Sequence, residues 1–147
     1  MSHTVTAADF AFRDELAAGS IAPGAFDHRA HVRLAYVCLA GRSVDEALED
    51  TRAIIRAFLA HHGIAPAKYH ETLTRAWLLA VDHFMQRTPE AGSADDFITR
   101  NPVLLDSRIM LTHYSAERLF SDEARAEFVE PDVEEIPRRN RNRNTGT

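Results

Sequence analysis

Eight histidines are spread through this 147-residue chain, and four of them sit in three short blocks rich in polar and aromatic residues. The blocks are Phe26-Asp27-His28-Arg29-Ala30-His31, Lys68-Tyr69-His70-Glu71-Thr72 and His113-Tyr114-Ser115. A neutral imidazole is the commonest protein ligand for transition metals, and histidine is the side chain best placed to move protons near neutral pH. His28 and His31 are three residues apart. On a helix their Cβ atoms would lie about 5–6 Å apart on one face, within reach of one ion. Such a pair alone is equally at home on a surface turn.

Around these histidines stand groups that suit a small polar substrate. Lys68 and Arg108 offer positive charge to an anionic group, with Tyr69 and Tyr114 beside them. Glu71 follows His70 directly and is rotated about 100° from it around a helix. The two therefore cannot both point squarely at one centre, which places Glu71 beside a metal as a proton carrier, with ligation as the alternative. Asp27 and Asp106 are candidates to orient an imidazole. His3 falls in a terminus expected to fray. His61 and His62 close a helix, where a partly positive ring complements the dipole. Cys38 and Trp77 read as core residues, each seven positions beyond a histidine.

The elements that must position these groups read as helical throughout. No segment alternates apolar and polar residues with a two-residue period, and no Asn-Gly or Asp-Gly hairpin turn occurs. A first helix runs from about Thr6 to Ala18, with Phe10, Arg13 and Ala17 along one side and Gly19 as its stop. A second starts near Asp27, ends before Gly41 and is apolar on most sides, so it should be the most enclosed. Ser43-Val44-Asp45-Glu46 is a capping box opening a third that stops at Gly63. Pro66 begins a fourth, reaching about Gln86. Ser93 caps a short helix, a fifth main segment covers about Val103 to Tyr114, and Ser121 opens one more through Phe128. The expected fold is an all-α, single-domain antiparallel bundle of about five main helices over residues 1–137.

Short connections make neighbouring helices antiparallel, so the starts of the second and fourth helices share one end of the bundle. His28, His31 and His70 then meet there. The segment after the fourth helix starts at the opposite end and travels back, so His113 joins them, while His83 is left at the far end. Four imidazoles, or three with Glu71, would suit one divalent transition metal ion, whether Zn, Fe, Cu or Mn. Two readings without metal stay open. One is a set of histidines hydrogen-bonded to carbonyls and acids; the other is acid–base chemistry by His70 and Glu71.

Composition narrows the partners. Four of the 17 basic residues lie in the last ten positions, which leaves 13 basic against 22 acidic residues and a net charge of −9 over residues 1–137. An acidic body repels phosphate backbones and argues against nucleic acid as the main partner. No apolar run approaches membrane-spanning length, and the N-terminus lacks the pattern of a secretory signal. A single cysteine leaves no internal disulfide framework. These features point to a cytoplasmic protein, with a homodimer as one arrangement they allow. The tail at residues 138–147 follows Pro137, has no apolar side chain and reads as disordered.

The combination Phe26-x-His28-x-x-His31, Lys68-Tyr-His-Glu-Thr72, Leu104-Leu-Asp106 and His113-Tyr-Ser115 resembles a widespread family of short bacterial helical proteins. The resemblance spans about residues 26–131, and the Lys-Tyr-His-Glu-Thr block is its most specific part. It implies a compact helical protein and singles out the same histidines, without an activity. The expectation is a small metal-dependent enzyme acting on a low-molecular-weight polar substrate. In it His28, His31, His70 and His113 hold the metal, Glu71 is catalytic, and Lys68, Tyr69, Arg108 and Tyr114 bind substrate. A non-enzymatic module that binds a metal or ligand is the alternative.

Overall fold

The computed structural model describes residues 3–138. The expectation for the tail therefore lies outside the described residues except at Arg138. That residue is largely buried, paired with Glu130 at 2.6 Å and set over the Phe128 ring.

Among the described residues the regular elements are all helical. They are α1 (Ala7–Ala17), α2 (His28–Leu39), α3 (Val44–His61), α4 (Glu71–Arg87), α5 (Ala94–Arg100), α6 (Ala116–Leu119) and α7 (Asp122–Ala126). None is long and apolar enough to cross a membrane.

The caps follow the sequence closely. Thr6 with Asp9 and Ser43 with Glu46 form reciprocal capping boxes on α1 and α3, and Asp27 accepts the Ala30 amide at the start of α2. Each such cap is worth about 1 kcal/mol. Gly19 ends α1 at φ +74°, and a Cβ there would collide with the His61 side chain. The glycine thus serves both the left-handed turn and the close passage of the α3 terminus.

The buried face of α1 carries Asp9, Phe12 and Leu16, whereas Phe10 is exposed. Asp9 outweighs the cost of its burial with three sets of bonds. It caps its own helix, accepts the Ala94 amide at 3.1 Å and meets the Arg33 guanidinium at 3.1 Å. One carboxylate thereby ties α1, α2 and α5 together.

α2 is the most enclosed helix, with eight of its twelve residues buried. α4 divides the interior. One of its faces packs with α1, α2, α3 and α5 around Leu34, Phe58, Leu78 and Phe97. The opposite face meets a second apolar cluster built on Met110, Tyr114, Leu119 and Val129 from the C-terminal third.

Two expectations need correction. The fourth helix does not start at Pro66: residues Pro66–Lys68 form a separate 3₁₀ turn, Tyr69 is extended, and His70 is the residue that caps α4. Nor is Val103 to Tyr114 one helix. It is two 3₁₀ turns, Pro102–Leu105 and Ile109–Thr112, separated at Asp106–Arg108. Asn101-Pro102 stops α5, and the Asp106-Ser107-Arg108 stretch has no apolar residue with which to continue a buried face. His113 therefore does not return to the site along a helix.

Candidate functional site

A cavity of about 400 Å³ opens between α2, α3 and α4. Leu34 and Ala35 from α2, Ile55 from α3, and Leu73 and Leu78 from α4 supply its apolar wall. Phe26 and Trp77 add aromatic surface, while His28, His31, Lys68, Tyr69, His70 and Ser107, with Asp27 and the Thr51 and Thr74 hydroxyls, bring the polar groups. The antiparallel run of α2, α3 and α4 thus gathers His28, His31 and His70 around one space, as their spacing suggests.

The bonding of each ring decides what it can do. His28, the first residue of α2, donates from Nε2 to the Leu104 carbonyl at 2.8 Å, since a carbonyl can only accept. Its ring also meets the Trp77 indole edge-on, with centroids 4.6 Å apart. His31 donates from Nδ1 to the Asp27 carbonyl at 2.9 Å and lies flat on the Phe26 ring, 3.8 Å away and tilted by 13°. Neither His28 Nδ1 nor His31 Nε2 has a hydrogen-bond partner among the described residues. In the neutral rings those two nitrogens are acceptors. Although part of the His31 ring reaches solvent, the atoms crowding it depress its pKa, an effect the Asp27 carbonyl opposes and the neighbouring His28 reinforces.

His70 is different. Its Nδ1 accepts the Leu73 amide at 3.1 Å and its Nε2 donates to the Leu119 carbonyl at 2.8 Å, so both ring nitrogens are spent. It is buried, and burial holds its pKa below the usual imidazole value, with Arg125 adding to the effect. This ring faces the cavity as a structural neighbour and has no lone pair left for an ion.

His113 does not line the cavity; it donates from Nδ1 to the Glu134 carbonyl at 2.8 Å. Among the described residues no three His, Cys, Asp or Glu side chains are grouped as metal ligands. The four-histidine set expected from the sequence is therefore not assembled: His70 is committed to capping and His113 to the C-terminal segment. His28 and His31 are the pair whose geometry remains open to a ligand.

Glu71 also departs from the expected role. Its carboxylate takes two bonds from Arg52, at 3.0 and 2.6 Å, and one from the Tyr69 hydroxyl at 2.7 Å. Burial opposes its charge, but Arg52 and Tyr69 more than compensate and hold the carboxyl below its ordinary range. A carboxylate so engaged is a poor proton acceptor and a firm anchor between α3 and α4.

The substrate-binding expectations divide. Lys68 and Tyr69 line the cavity, with Lys68 exposed at its mouth. Burial and the Glu71 carboxylate push the Tyr69 phenol up to about 12, so it stays protonated, and the Arg56 guanidinium lies 4.9 Å from its ring centre. Arg108 is exposed, pairs with Asp106 and does not reach the cavity. Tyr114 is fully buried in the second apolar cluster, where its hydroxyl donates to the Val129 carbonyl at 2.6 Å.

His3, expected to fray, is held instead. Its Nε2 donates to the Met85 carbonyl at 2.8 Å, its Nδ1 accepts the Ala91 amide at 3.2 Å, and its ring meets Tyr36 and Phe97 edge-on. Sequence reasoning also missed Phe26 as the platform for His31 and Arg52 as the partner of Glu71. The first carried a signal, an aromatic residue just ahead of the helix cap. The second did not, because its partner lies on another helix.

Comparison of the chain with family models, with curated proteins and with solved structures gives no match. The functional reading rests on the cavity and its side chains.

Proposed function

We propose that this chain holds a small organic molecule in the cavity between α2, α3 and α4, with His28 and His31 as its polar contacts. One observation carries the reading. Two imidazoles lining one cavity are each fixed by a backbone carbonyl through one nitrogen, and the other nitrogen of each has no partner among the described residues. A concave, mainly apolar space with a few oriented polar groups is the usual form of a small-molecule site. Such fixed rings are also suited to accepting a proton from a bound substrate, so the site is compatible with acid–base catalysis.

A metal-dependent enzyme is the second reading, favoured by the three-residue spacing of those same two nitrogens. It would take the remaining donors from water or from substrate.

Trp77 is the single tryptophan and lines the cavity, so its emission reports on occupancy. A panel of uncharged aromatic fragments should give saturable changes in Trp77 fluorescence. Leu73→Phe, which fills part of the cavity from α4, should weaken them while leaving the melting transition cooperative. Fragments that bind equally well to this variant, or leave Trp77 unchanged throughout, would contradict the reading.

A further inference from the structure

The polar end of the cavity is unusual in what it offers a ligand. Its two oriented rings present acceptors, not donors: the protons of His28 and His31 are already given to Leu104 and Asp27. The Tyr69 proton is likewise given to Glu71, and the Thr74 hydroxyl proton to the His70 carbonyl. Asp27, exposed at the start of α2 with its carboxylate accepting the Ala30 amide, borders the same space and carries negative charge. Against this set stand one ammonium, Lys68, which is exposed, and two hydroxyls, Ser107 and the buried Thr51, each able to accept as well as donate. Below lie Phe26, Trp77, Leu34 and Ile55, a surface suited to a flat apolar body.

Resting on the proposed small-molecule site, we infer that its ligand is an un-ionised aromatic compound carrying an O–H or N–H donor, which it gives to His28 Nδ1 or His31 Nε2. A carboxylate would bring further lone pairs against two acceptors and the Asp27 charge. An ether or plain hydrocarbon would leave both nitrogens desolvated and unpaired, and a buried polar group without its partner is costly. The donor head is therefore what the site selects, and the ring is what it buries.

The test compares three probes of similar size on the full chain by calorimetry: para-chlorophenol, para-chloroanisole and para-chlorobenzoate. They differ at one position, which is respectively a donor, a methylated oxygen and an anion. The phenol should bind about tenfold or more tighter than the ether, the worth of one well-made hydrogen bond to an otherwise unpaired group. His31→Phe keeps an aromatic ring beside Phe26 and removes one acceptor. Either it or His28→Phe, according to which ring takes the proton, should cut the phenol's affinity toward the ether's and leave the ether unchanged; an unchanged phenol affinity in both variants would overturn the assignment.

Equal binding of phenol and ether would overturn the donor requirement while leaving the cavity reading intact. Tightest binding by the benzoate would overturn it in favour of an anion site led by Lys68. Binding of none of the three, with Trp77 emission also unresponsive, would overturn both. Long-range nitrogen–proton spectra give an independent check on folded wild-type protein. The phenol should move the resonance of His28 Nδ1 or His31 Nε2, and movement of neither would count against the assignment.

Discussion

His70 is tied to Leu119. The imidazole that caps α4 through Nδ1 donates through Nε2 to a carbonyl 49 positions further along, at 2.8 Å. One buried ring thus joins the start of α4 to the end of α6, and it can do so only as the neutral Nε2–H tautomer. Its neighbours in sequence act the same way. The Thr72 hydroxyl donates to the Glu127 carbonyl and accepts the Val129 amide, while Ser115 bonds Asp132 and His113 bonds the Glu134 carbonyl. Two of the three histidine blocks are thus fastenings for the C-terminal segment, and the Phe26–His31 block opens on the cavity.

Removal of that ring is expected to be a stability mutation. His70→Ala loses a cap, about 0.5–2 kcal/mol, and strands the Leu119 carbonyl, about 1–3 kcal/mol more. We expect a total loss of about 2–4 kcal/mol in urea unfolding. His70→Asn, which can still cap, should lose less. Unchanged unfolding in both variants would contradict the role.

The pH dependence of stability follows from the same ring. Burial lowers the folded pKa of His70, and of His31 and His83, below the ordinary value of 6.5. Above that value all three are neutral in both the folded and unfolded states, and their contribution is fully present. As pH falls below it the unfolded chain takes up protons first, so stability declines until the folded pKa values are passed. Glu71 and Asp9, with lowered carboxyl pKa values, add a second loss at more acid pH, below their ordinary values of 4.5 and 3.8. Melting temperature against pH should therefore fall in two stages. His70→Asn should flatten the upper one.

Glu71 anchors α3 to α4 and stands outside the ligand's reach. Glu71→Gln weakens the Arg52 pair and should cost about 1–2 kcal/mol, discounted because the guanidinium is partly solvated. Fragment binding followed by Trp77 should survive it. Loss of binding with unchanged stability would return Glu71 to the catalytic role its sequence position suggests.

The bundle was legible because its signals are local. Thr6, Asp27, Ser43 and Ser93 cap the helices their spacing implies, and the starts of α2 and α4 do share an end. The site was half legible. Topology brings His28, His31 and His70 to one cavity, but sequence cannot say which nitrogens stay unpaired, because Leu104, Leu119 and Glu134 act through backbone carbonyls that carry no sequence mark. The misread stretch from Val103 to Tyr114 had apolar residues at helical spacing, broken by Asp106-Ser107-Arg108. Local turn chemistry prevailed there over periodicity.

Metal titration separates the two functional readings. Any zinc or cobalt(II) binding should depend on His28 and His31 and be indifferent to His113→Ala or His70→Asn. Tight stoichiometric binding lost with His70 or His113 would mean that both rings leave their carbonyl partners, and the hydrogen bonding described above would be wrong.

The most direct test is the nitrogen spectrum of the imidazoles near neutral pH, with and without para-chlorophenol. We expect His28 as the Nε2–H tautomer and His31 as the Nδ1–H tautomer, with the bare nitrogen of one or the other shifting as the phenol saturates and those of His70 and His113 staying still. The opposite tautomers at His28 and His31, or a response confined to His70 and His113, would contradict the account.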